Sequence, residues 1–416
     1  MRDAIDFEVM GLPSAVLIAD ALHGPADAMR RLSGLPDYPL LATEFPVGSL
    51  GKAELAARAA RLAPLVVRAL TERRTAAVHR AAYTSDPFVF DDEDAALAWF
   101  FDQGLTDGLP IVVPTPERVR TMLARVDSKP SDIVVTLPTR AGLTATVETV
   151  AVNAVMAGAT PALFPLVLAA ARAAADPAYN LHAHTGTMAG AQQVVVVNGP
   201  QRARLGFRTE DGALGPGWRA NATVGRSLRL LIRNALGSVH GEFDRAGFSH
   251  PGRFSWCIAE DEERSPWLPL AAQLGGAAAG IDAVSLFATV WQGSIINHEP
   301  TALPIIDDLA LVARTGAHAN WLHHEAASDS SFYTKRPFVI VTGHEHARVF
   351  GRGGFGDLDR LREALFNRMT GHHSSLRPVA IADPSNIYVV YVHATGMQQT
   401  QFFAPFQSHH AVTRVV

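Results

Sequence analysis

The sequence predicts an α/β protein with mixed or parallel sheets and flanking helices. It has a small N-terminal β-α-β-α unit and a larger α/β domain. Two observations predict this class: short runs of apolar residues alternate with segments of helical periodicity, and an acidic, turn-rich stretch divides the chain. The 416 residues are 48% hydrophobic and 18% charged, which suits a globular protein with a sizeable core.

The first unit spans residues 1–85. Short buried strands are expected at 14–19 and 38–43, and helices at 24–33 and 52–73. Strands that alternate with helices favour a parallel sheet. Two strands are too few to stand alone, so this unit must pack on the rest of the chain or on another polypeptide.

The larger domain spans residues 86–416 and begins within the acidic stretch 84–95. Thr115 is an expected N-cap and Pro116 an expected first residue of a helix. Helices are predicted at 95–103, 116–124, 144–157, 161–175, 216–236, 302–314 and 357–369. Strands are predicted at 111–113, 133–137, 194–197, 284–290, 338–342 and 386–392.

Composition narrows the classes of function. The net charge of −4 provides no basic field to hold nucleic acid or an anionic membrane. No uncharged apolar run reaches the ~18 residues that a membrane span needs. One cysteine, Cys257, excludes an internal disulfide, and the charged start of the chain does not resemble a signal peptide. A cytoplasmic location is expected.

A glycine-rich turn at 215–217 leads directly into a predicted helix. Helix N-termini attract anions, and arginines recur at 226, 229 and 233 on one face of this helix. Guanidinium groups match carboxylate, sulfate or phosphate oxygens, which predicts an anion site. The alternative is a solvated arginine stripe behind an ordinary glycine cap. The residues assigned to the anion site are Gly217, Arg219, Asn221 and Arg226.

The segment 241–260 concentrates acids, an imidazole and a guanidinium in a stretch with little periodicity. Such loops often carry function. His250 is a candidate general base with Glu260 or Asp244 as its partner, and Arg253 is a candidate substrate contact. Salt bridging between loops is the structural alternative. Cys257, in apolar company, is more consistent with an inert core residue than with a nucleophile.

Two further segments carry candidate residues. Glu148 is the only acid of an otherwise apolar helix and is a second candidate base, with Asn153 as a substrate contact. His182 and His184 would point the same way on a strand, which is half of a metal site. His182 is also a candidate substrate contact. No third metal ligand stands out in the sequence, and no metal or other cofactor is predicted.

Several runs resemble the family named for its Sec/Cys "UGSC" motif. Residues 12–74 look like the second half of that family's small N-terminal domain, and the resemblance also covers roughly 97–416. The redox motif itself is absent, because no cysteine precedes Cys257 and the family's Ala-Gly-Cys reads Ala-Gly-Ala at 157–159. The runs that carry the resemblance are 106–110, 114–119, 150–158, 215–223 and 250–252.

The resemblance implies a partner. A truncated N-terminal unit suggests that a separate small subunit completes it. This organisation is similar to that of the two-protein complex that closes aziridine rings in azinomycin-type biosynthesis by intramolecular displacement of sulfate. In that parallel, this chain would be the large subunit. The substrate would be a small molecule, free or on a carrier protein.

These observations lead to three hypotheses. The first is an enzyme of secondary metabolism that acts on a small anionic, amino-acid-like substrate by elimination or intramolecular substitution. Arg219 and Arg226 would hold the departing anion, and His250 or Glu148 would take the proton. The second is a metal-dependent hydrolase or lyase that uses the His-x-His pair and a carboxylate, Glu148 or Glu260. The third is a non-catalytic scaffold subunit of a heteromeric enzyme.

Overall fold

A computed structural model describes residues 2–32, 35–45, 47, 50–72, 88–137, 143–319, 336–406 and 409–416. The predicted ends at residues 33 and 73, and the start of the predicted boundary at 84–87, lie outside these residues. The mixed α/β class is confirmed, with parallel and antiparallel strand pairs in one chain.

The N-terminal unit has the order α-β-α-β-α. Its two short strands pair in parallel with Val16 beside Leu40, which matches the predicted arrangement, and one additional helix precedes them. Its small core contains a side chain from the larger part of the chain, Phe243. The elements are α1 (Arg2–Val9), β1 (Val16–Ala19), α2 (His23–Leu32), β2 (Leu40–Thr43) and α3 (Lys52–Thr71).

A hairpin and a seven-stranded mixed sheet form the β structure of the larger part. The sheet has the order β6-β5-β7-β10-β8-β9, with β11 on β7; β5–β6 and β8–β9 are parallel and the other pairs antiparallel. The hairpin strands are β3 (Ile133–Leu137) and β4 (Leu143–Thr146). The sheet strands are β5 (Gln192–Asn198), β6 (Cys257–Ala259), β7 (Ala283–Ile296), β8 (Phe338–Thr342), β9 (Ile387–Tyr391), β10 (Gln399–Pro405) and β11 (Val412–Val415).

Helices cover the sheet in two groups. The first group packs around β5 and β7 over one core and the second around β8, β9 and β10 over another, while a third core lies between the strands on the sheet's other face. The helices are α4 (Glu93–Asp102), α5 (Pro116–Leu123), α6 (Val147–Met156), α7 (Phe164–Ala174), α8 (Leu181–Gly186), α9 (Gln201–Arg204), α10 (Arg219–Asn234), α11 (Leu270–Gln273), α12 (Ala302–Ala319), α13 (His344–Phe350) and α14 (Leu358–Thr370).

The sheet is curled so that its two edge strands approach each other. Glu260, which follows β6, accepts a hydrogen bond from the backbone of Tyr391 at the end of β9, and Gln273 both accepts from and donates to the backbone of Val389. Polar groups on strand edges need partners. These side chains supply partners to the edge of β9.

Three predictions about elements are wrong. Residues 111–113 are not a strand, because Pro110 and Pro114 flank them, and a proline cannot donate to a ladder. The predicted helix 144–157 begins only at Val147, where Thr146 ends β4 and caps α6 by accepting from Thr149 N. His182 and His184 lie on the short helix α8 and not on a strand.

Candidate functional site

A cavity of about 240 Å³ lies beside the second half of α10. We name it the arginine pocket. Its lining residues come from α10, from the turn 106–110 and from the loop that precedes β6. Its lining consists of Asp107, Arg229, Arg233, Ser238, His240, Asp244, Gly247, Phe248, Ser249, His250, Arg253 and Phe254.

Helix α10 delivers two guanidinium groups to this pocket. Arg229 is buried, and its Nε donates to the carbonyl of Arg253 at 3.1 Å while Nη1 donates to Gln193 Oε1. Arg233 donates from Nη2 to the carbonyl of Gly104 at 2.9 Å. Its Nε is buried and has no hydrogen-bond partner among the described residues. Both cations are therefore bonded to neutral acceptors.

The carboxylates of the pocket are already paired. Asp107 receives two hydrogen bonds from Arg226, at 2.7 and 2.8 Å, and Asp244 is paired with Arg253. No carboxylate within the described residues forms an ion pair with Arg229 or Arg233. Burial, followed by the nearby charge of Arg253, lowers the pKa of Arg229 to about 9. The pocket therefore has a cationic surplus that a bound anion would relieve.

The loop 244–254 shapes the other wall. Asp244 Oδ1 accepts from Ala246 N at 3.1 Å, and Ser249 Oγ accepts from Arg253 Nη1 at 3.2 Å. Ser249 has φ +59°, a conformation that non-glycine residues adopt at a cost of about 1–3 kcal/mol. Such strain tends to occur at functional sites.

His250 is held by this loop in one orientation. Its Nδ1 accepts from the backbone N–H of Gly252 at 3.0 Å, and its ring stacks on Trp256 with centroids 5.9 Å apart. The backbone amide can only donate, so the neutral imidazole carries its proton on Nε2. Burial lowers the pKa of His250, which favours this neutral form. In this state His250 is a hydrogen-bond donor and does not have the free lone pair that the predicted base needs.

A second imidazole reaches the pocket beside a carboxylate. His240 Nδ1 lies 3.9 Å from Asp244 Oδ1, and the side chain is largely exposed. This separation is longer than a hydrogen bond, but catalytic pairs often tighten when ligand is bound. If Asp244 orients the Nδ1 proton, Nε2 of His240 is left as an acceptor.

The predicted anion site at the start of α10 does not converge on this pocket. Arg219 is exposed and donates from Nε to the carbonyl of Gly158 at 2.9 Å. Asn221 is buried and its Oδ1 accepts from Arg208 N at 2.9 Å, so it braces the adjacent loop. Gly217 is exposed with φ +110°, a conformation suited to glycine. Arg226 reaches the pocket only through Asp107.

Glu148 lies on the apolar helix α6 as predicted, but its side chain is exposed and not buried with the apolar residues of that helix. It borders a separate open cavity of about 950 Å³ together with Trp99 and Arg118. Asn153 is buried and links helices: its Nδ2 donates to the carbonyl of Thr149 at 2.9 Å, and its Oδ1 accepts from Asn234 at 3.1 Å. Neither residue lines the arginine pocket.

Glu260 is fully buried at the end of β6, and its hydrogen bonds stabilise the sheet. Its carboxyl accepts from Asn198 Nδ2 and Leu270 N, both at 2.8 Å, and from Tyr391 N at 3.3 Å. Burial raises the pKa of Glu260 to about 7. These contacts do not include His250, so the structure does not form the predicted His250–Glu260 pair.

The histidine pair does not form half of a metal site. His184 is buried, with Nε2 2.7 Å from the carbonyl of Tyr179 and Nδ1 3.3 Å from Gln193 Nε2. His182 contacts Phe243, with ring centroids 5.3 Å apart. Among the described residues, no group of three His, Cys, Asp or Glu side chains is arranged to hold a metal ion. Cys257 is buried, and burial raises the pKa of its thiol.

The sequence predicts the arginine stripe of α10, and in the structure Arg229 and Arg233 from the second half of the helix line the cavity, whereas Arg219 does not. The stripe predicted a shared face for Arg229 and Arg233, and only the burial of the helix shows that these two line a cavity. His240 lay next to the acid-rich segment and was not singled out. A histidine four residues before Asp244 was the signal available.

The fold and the cavity define a mixed α/β protein with a cationic pocket. The model of the UGSC family matches residues 1–72, so the N-terminal unit of this chain is similar to that family. The matched residues correspond to the N-terminal unit that ends with α3. A search of curated proteins finds no match. Within the described residues, every helix is too short or too polar to cross a bilayer.

Proposed function

We propose that this chain is an enzyme whose arginine pocket binds a small anionic substrate and stabilises an anionic leaving group. The single observation that supports it most strongly is the pair of cations, Arg229 and Arg233, that face one cavity without a carboxylate partner. A buried cation without a counter-ion is costly, and proteins usually retain it for a ligand.

In this proposal the two arginines act on the departing group. Guanidinium donors that are fixed before the reaction stabilise charge as it develops, without reorganisation. This assigns to Arg229 and Arg233 the role first predicted for Arg219 and Arg226. The helix N-terminus at Gly217 is not part of the proposed site.

Proton transfer falls to the two imidazoles. His240, beside Asp244, takes the proton of the attacking amine, and His250 donates a hydrogen bond from Nε2 to the substrate. The amine nitrogen forms a bond to carbon while the bond from carbon to the leaving oxygen breaks, and its electron pair leaves with the anion. Ring closure to an aziridine with departure of sulfate fits this chemistry, as does elimination.

Sulfate is the direct probe of the pocket. We expect Arg233→Gln to weaken sulfate binding at least tenfold by titration calorimetry, because a charge-assisted hydrogen bond contributes about 1.5–3 kcal/mol. Arg219→Gln is the matched control on the same helix and should bind sulfate normally. Equal losses in both variants, or no loss in Arg233→Gln, would reject the arginine pocket as the anion site.

Turnover tests the reaction itself. The chain, alone and together with a candidate small α/β subunit, is incubated with a sulfated vicinal amino compound, free or on a carrier protein, and released sulfate is measured over time. We expect release that Arg233→Gln and His240→Gln each lower by at least tenfold. Normal sulfate binding without release would leave an anion site and remove the proposed reaction.

The N-terminal unit supports a proposed partner. Its two parallel strands form a sheet of their own within the described residues, whereas parallel sheets are normally covered on both faces. Its surface exposes several large apolar side chains. We propose that a small α/β subunit covers them. The exposed apolar side chains are Phe7, Met10, Leu12, Leu17, Leu22, Phe45, Val47, Leu55, Leu65, Val67 and Leu70.

Co-expression with a candidate small α/β subunit tests the partner. Val67→Asp on α3 should abolish a complex seen by size-exclusion chromatography and leave the Tm of the isolated chain unchanged, because Val67 is exposed. Leu303→Asp, at a similarly exposed position of α12, is the control and should assemble normally. A complex that tolerates Val67→Asp, or no complex at all, contradicts this surface.

A further inference from the structure

Two histidines share one tyrosine hydroxyl at an edge of the sheet. Tyr391 Oη lies 2.9 Å from His344 Nδ1 and 2.8 Å from His393 Nδ1. The two imidazole rings are in contact, with centroids 4.6 Å apart. None of these residues lines the arginine pocket.

The fold brings these residues together from separate segments. Tyr391 is the last residue of β9, and His344 follows β8 after one glycine, Gly343. Strands β8 and β9 are parallel, so their carboxyl ends meet at one edge, where open α/β sheets tend to bind ligands.

The backbone fixes both histidines. His344 N donates to the carbonyl of Ala394 at 3.0 Å, and His393 N donates to the carbonyl of Thr209 at 2.8 Å. These bonds fix the main chain that carries the two rings, and the shared Tyr391 hydroxyl orients the rings themselves.

Because the Tyr391 hydroxyl has one proton, the two neutral imidazole rings must be in different tautomers. The Tyr391 hydroxyl can donate to only one Nδ1, so it must accept a hydrogen bond from the other. The ring that receives the proton carries its own hydrogen on Nε2, and the ring that donates has a free lone pair on Nε2. Two neutral imidazoles thus present one proton donor and one proton acceptor, and a shift along the hydrogen bonds exchanges their roles.

The surroundings favour the neutral forms of Tyr391 and His393. Burial raises the pKa of Tyr391 to about 12, so the hydroxyl keeps its proton at neutral pH. Burial is also the main cause that lowers the pKa of His393, and the positive charge of Arg264 adds to it.

The charged groups around the rings are largely engaged with one another. Arg264 Nη1 donates to Asp261 Oδ2 at 3.0 Å and to Glu210 Oε1 at 3.3 Å, and Glu345 is paired with Arg348. These ion pairs supply no separate proton acceptor as close to Tyr391 as the two imidazoles.

The Nε2 atoms are accessible. His344 and His393 are partly exposed, and neither Nε2 has a protein hydrogen-bond partner within the described residues. A cavity of about 130 Å³, large enough for a few non-hydrogen atoms, lies next to the cluster: its lining includes the chain neighbours Gly343, Val392 and Ala394 but not the three rings themselves.

We infer that His344, Tyr391 and His393 form a second acid–base site, which acts on a small enolisable carbonyl compound. The Nε2 lone pair of one histidine takes a proton from the carbon beside the carbonyl, and Nε2–H of the other gives a proton to the carbonyl oxygen. The product is the enol, and no electrons leave or enter the site. Tyr391 acts through the histidines and is a positioning residue that resets their protons.

Nitrogen NMR of the full chain labelled with ¹⁵N-histidine tests the relay. We expect one of the two Nε2 signals to be in the protonated range and the other in the unprotonated range at pH 7.5. Tyr391→Phe keeps the buried ring but removes the hydroxyl, and should abolish this difference. The same protonation state at both Nε2 atoms of the wild type overturns the inference.

Hydroxyacetone in D₂O is the probe for chemistry. We expect the full chain to accelerate the exchange of hydroxyacetone's carbon-bound protons at least tenfold over buffer, measured by ¹H NMR. The variants His344→Gln, His393→Gln and Tyr391→Phe should each remove most of this acceleration. His372→Gln, an exposed histidine elsewhere, should exchange at the wild-type rate. Exchange that Tyr391→Phe leaves intact, or no acceleration at all, contradicts the site. Neither result depends on sulfate binding in the arginine pocket.

Discussion

At Gly252, one methyl group is enough to disturb the loop that holds His250. A Cβ atom there would lie 2.4 Å from both Gln192 Oε1 and Trp256 Cε3, closer than atoms pack. In the same loop a Cβ on Gly247 meets nothing within 4 Å. The loop is therefore packed tightly on one side and open on the other.

We expect Gly252→Ala to lower the free energy of unfolding by about 1–3 kcal/mol, because overpacking forces neighbours out of place. It should also weaken sulfate binding, since it displaces His250 and Arg253. Gly247→Ala should stay within about 0.5 kcal/mol of the wild type. Urea unfolding and calorimetry check both, and equal stability of the two variants would contradict this packing.

Glu260 makes stability depend on pH. Its pKa is about 7 in the folded protein, and a carboxyl of this type has a value near 4.5 when unfolded. The folded state therefore binds more protons than the unfolded state between these two pH values. The contribution of Glu260 to the free energy of unfolding is full below about pH 4.5 and is lost as pH rises through 7.

We expect Glu260→Gln to remove a pH-dependent part of the free energy of unfolding, up to about 3 kcal/mol between pH 4.5 and 8. Urea unfolding at several pH values measures the slope. The exposed Glu363→Gln should keep the wild-type slope. A Glu260→Gln variant with an unchanged slope would contradict the raised pKa.

At the scale of elements, one ion pair joins α10 to the turn 106–110. Arg226 and Asp107 are mostly buried, with 15% and 11% of their side chains exposed, and their two hydrogen bonds are in fork geometry. Asp107 also borders the arginine pocket. The pair therefore connects the position of α10 to the cavity.

We expect Asp107→Asn to destabilise the protein by about 2–3 kcal/mol, since it leaves the Arg226 charge without its partner. Glu93→Gln removes the more exposed pair between α4 and α5, Arg118 with Glu93, and should cost less than about 1 kcal/mol. Thermal and urea unfolding compare them. Similar costs for the two changes would show that the Arg226 pair contributes no more than a surface contact.

At the scale of the whole molecule, Phe243 holds the N-terminal unit to the larger part. Phe243 belongs to the larger part of the chain, but its ring packs in the small core of the N-terminal unit with Ile5, Val16, Met29 and Tyr38. The same residue contacts His182 on α8. Loss of this ring should loosen the unit and leave the main sheet intact.

We expect Phe243→Ala to raise amide hydrogen exchange across residues 2–72 at least tenfold, because a buried aromatic ring contributes about 3–5 kcal/mol to its core. Exchange in β5, β7 and β10 should not change. Phe248→Ala, at a fully exposed ring five residues later, is the control. Uniform acceleration over the whole chain would mean that the two parts unfold together.

The sequence by itself determined the α/β class and most of the elements. Strands 133–137 and 338–342 were predicted to the residue, since apolar runs and turn residues act over a few positions of the chain. Local sequence patterns did not predict a strand whose formation depends on contacts with distant segments of the chain. The segment 399–405, which begins with the polar residues Gln-Thr-Gln, is a central strand because β7 and β8 pair with it on both sides.

The arrangement of the sites was decided only by the tertiary structure. Arg229 and His250 lie 21 positions apart in sequence, and their shared cavity exists because α10 packs behind the loop before β6. His344 and Tyr391 meet because two parallel strands end at one edge. Burial and charge pairing depend on which segments fold together, and residue spacing in the sequence does not contain that information.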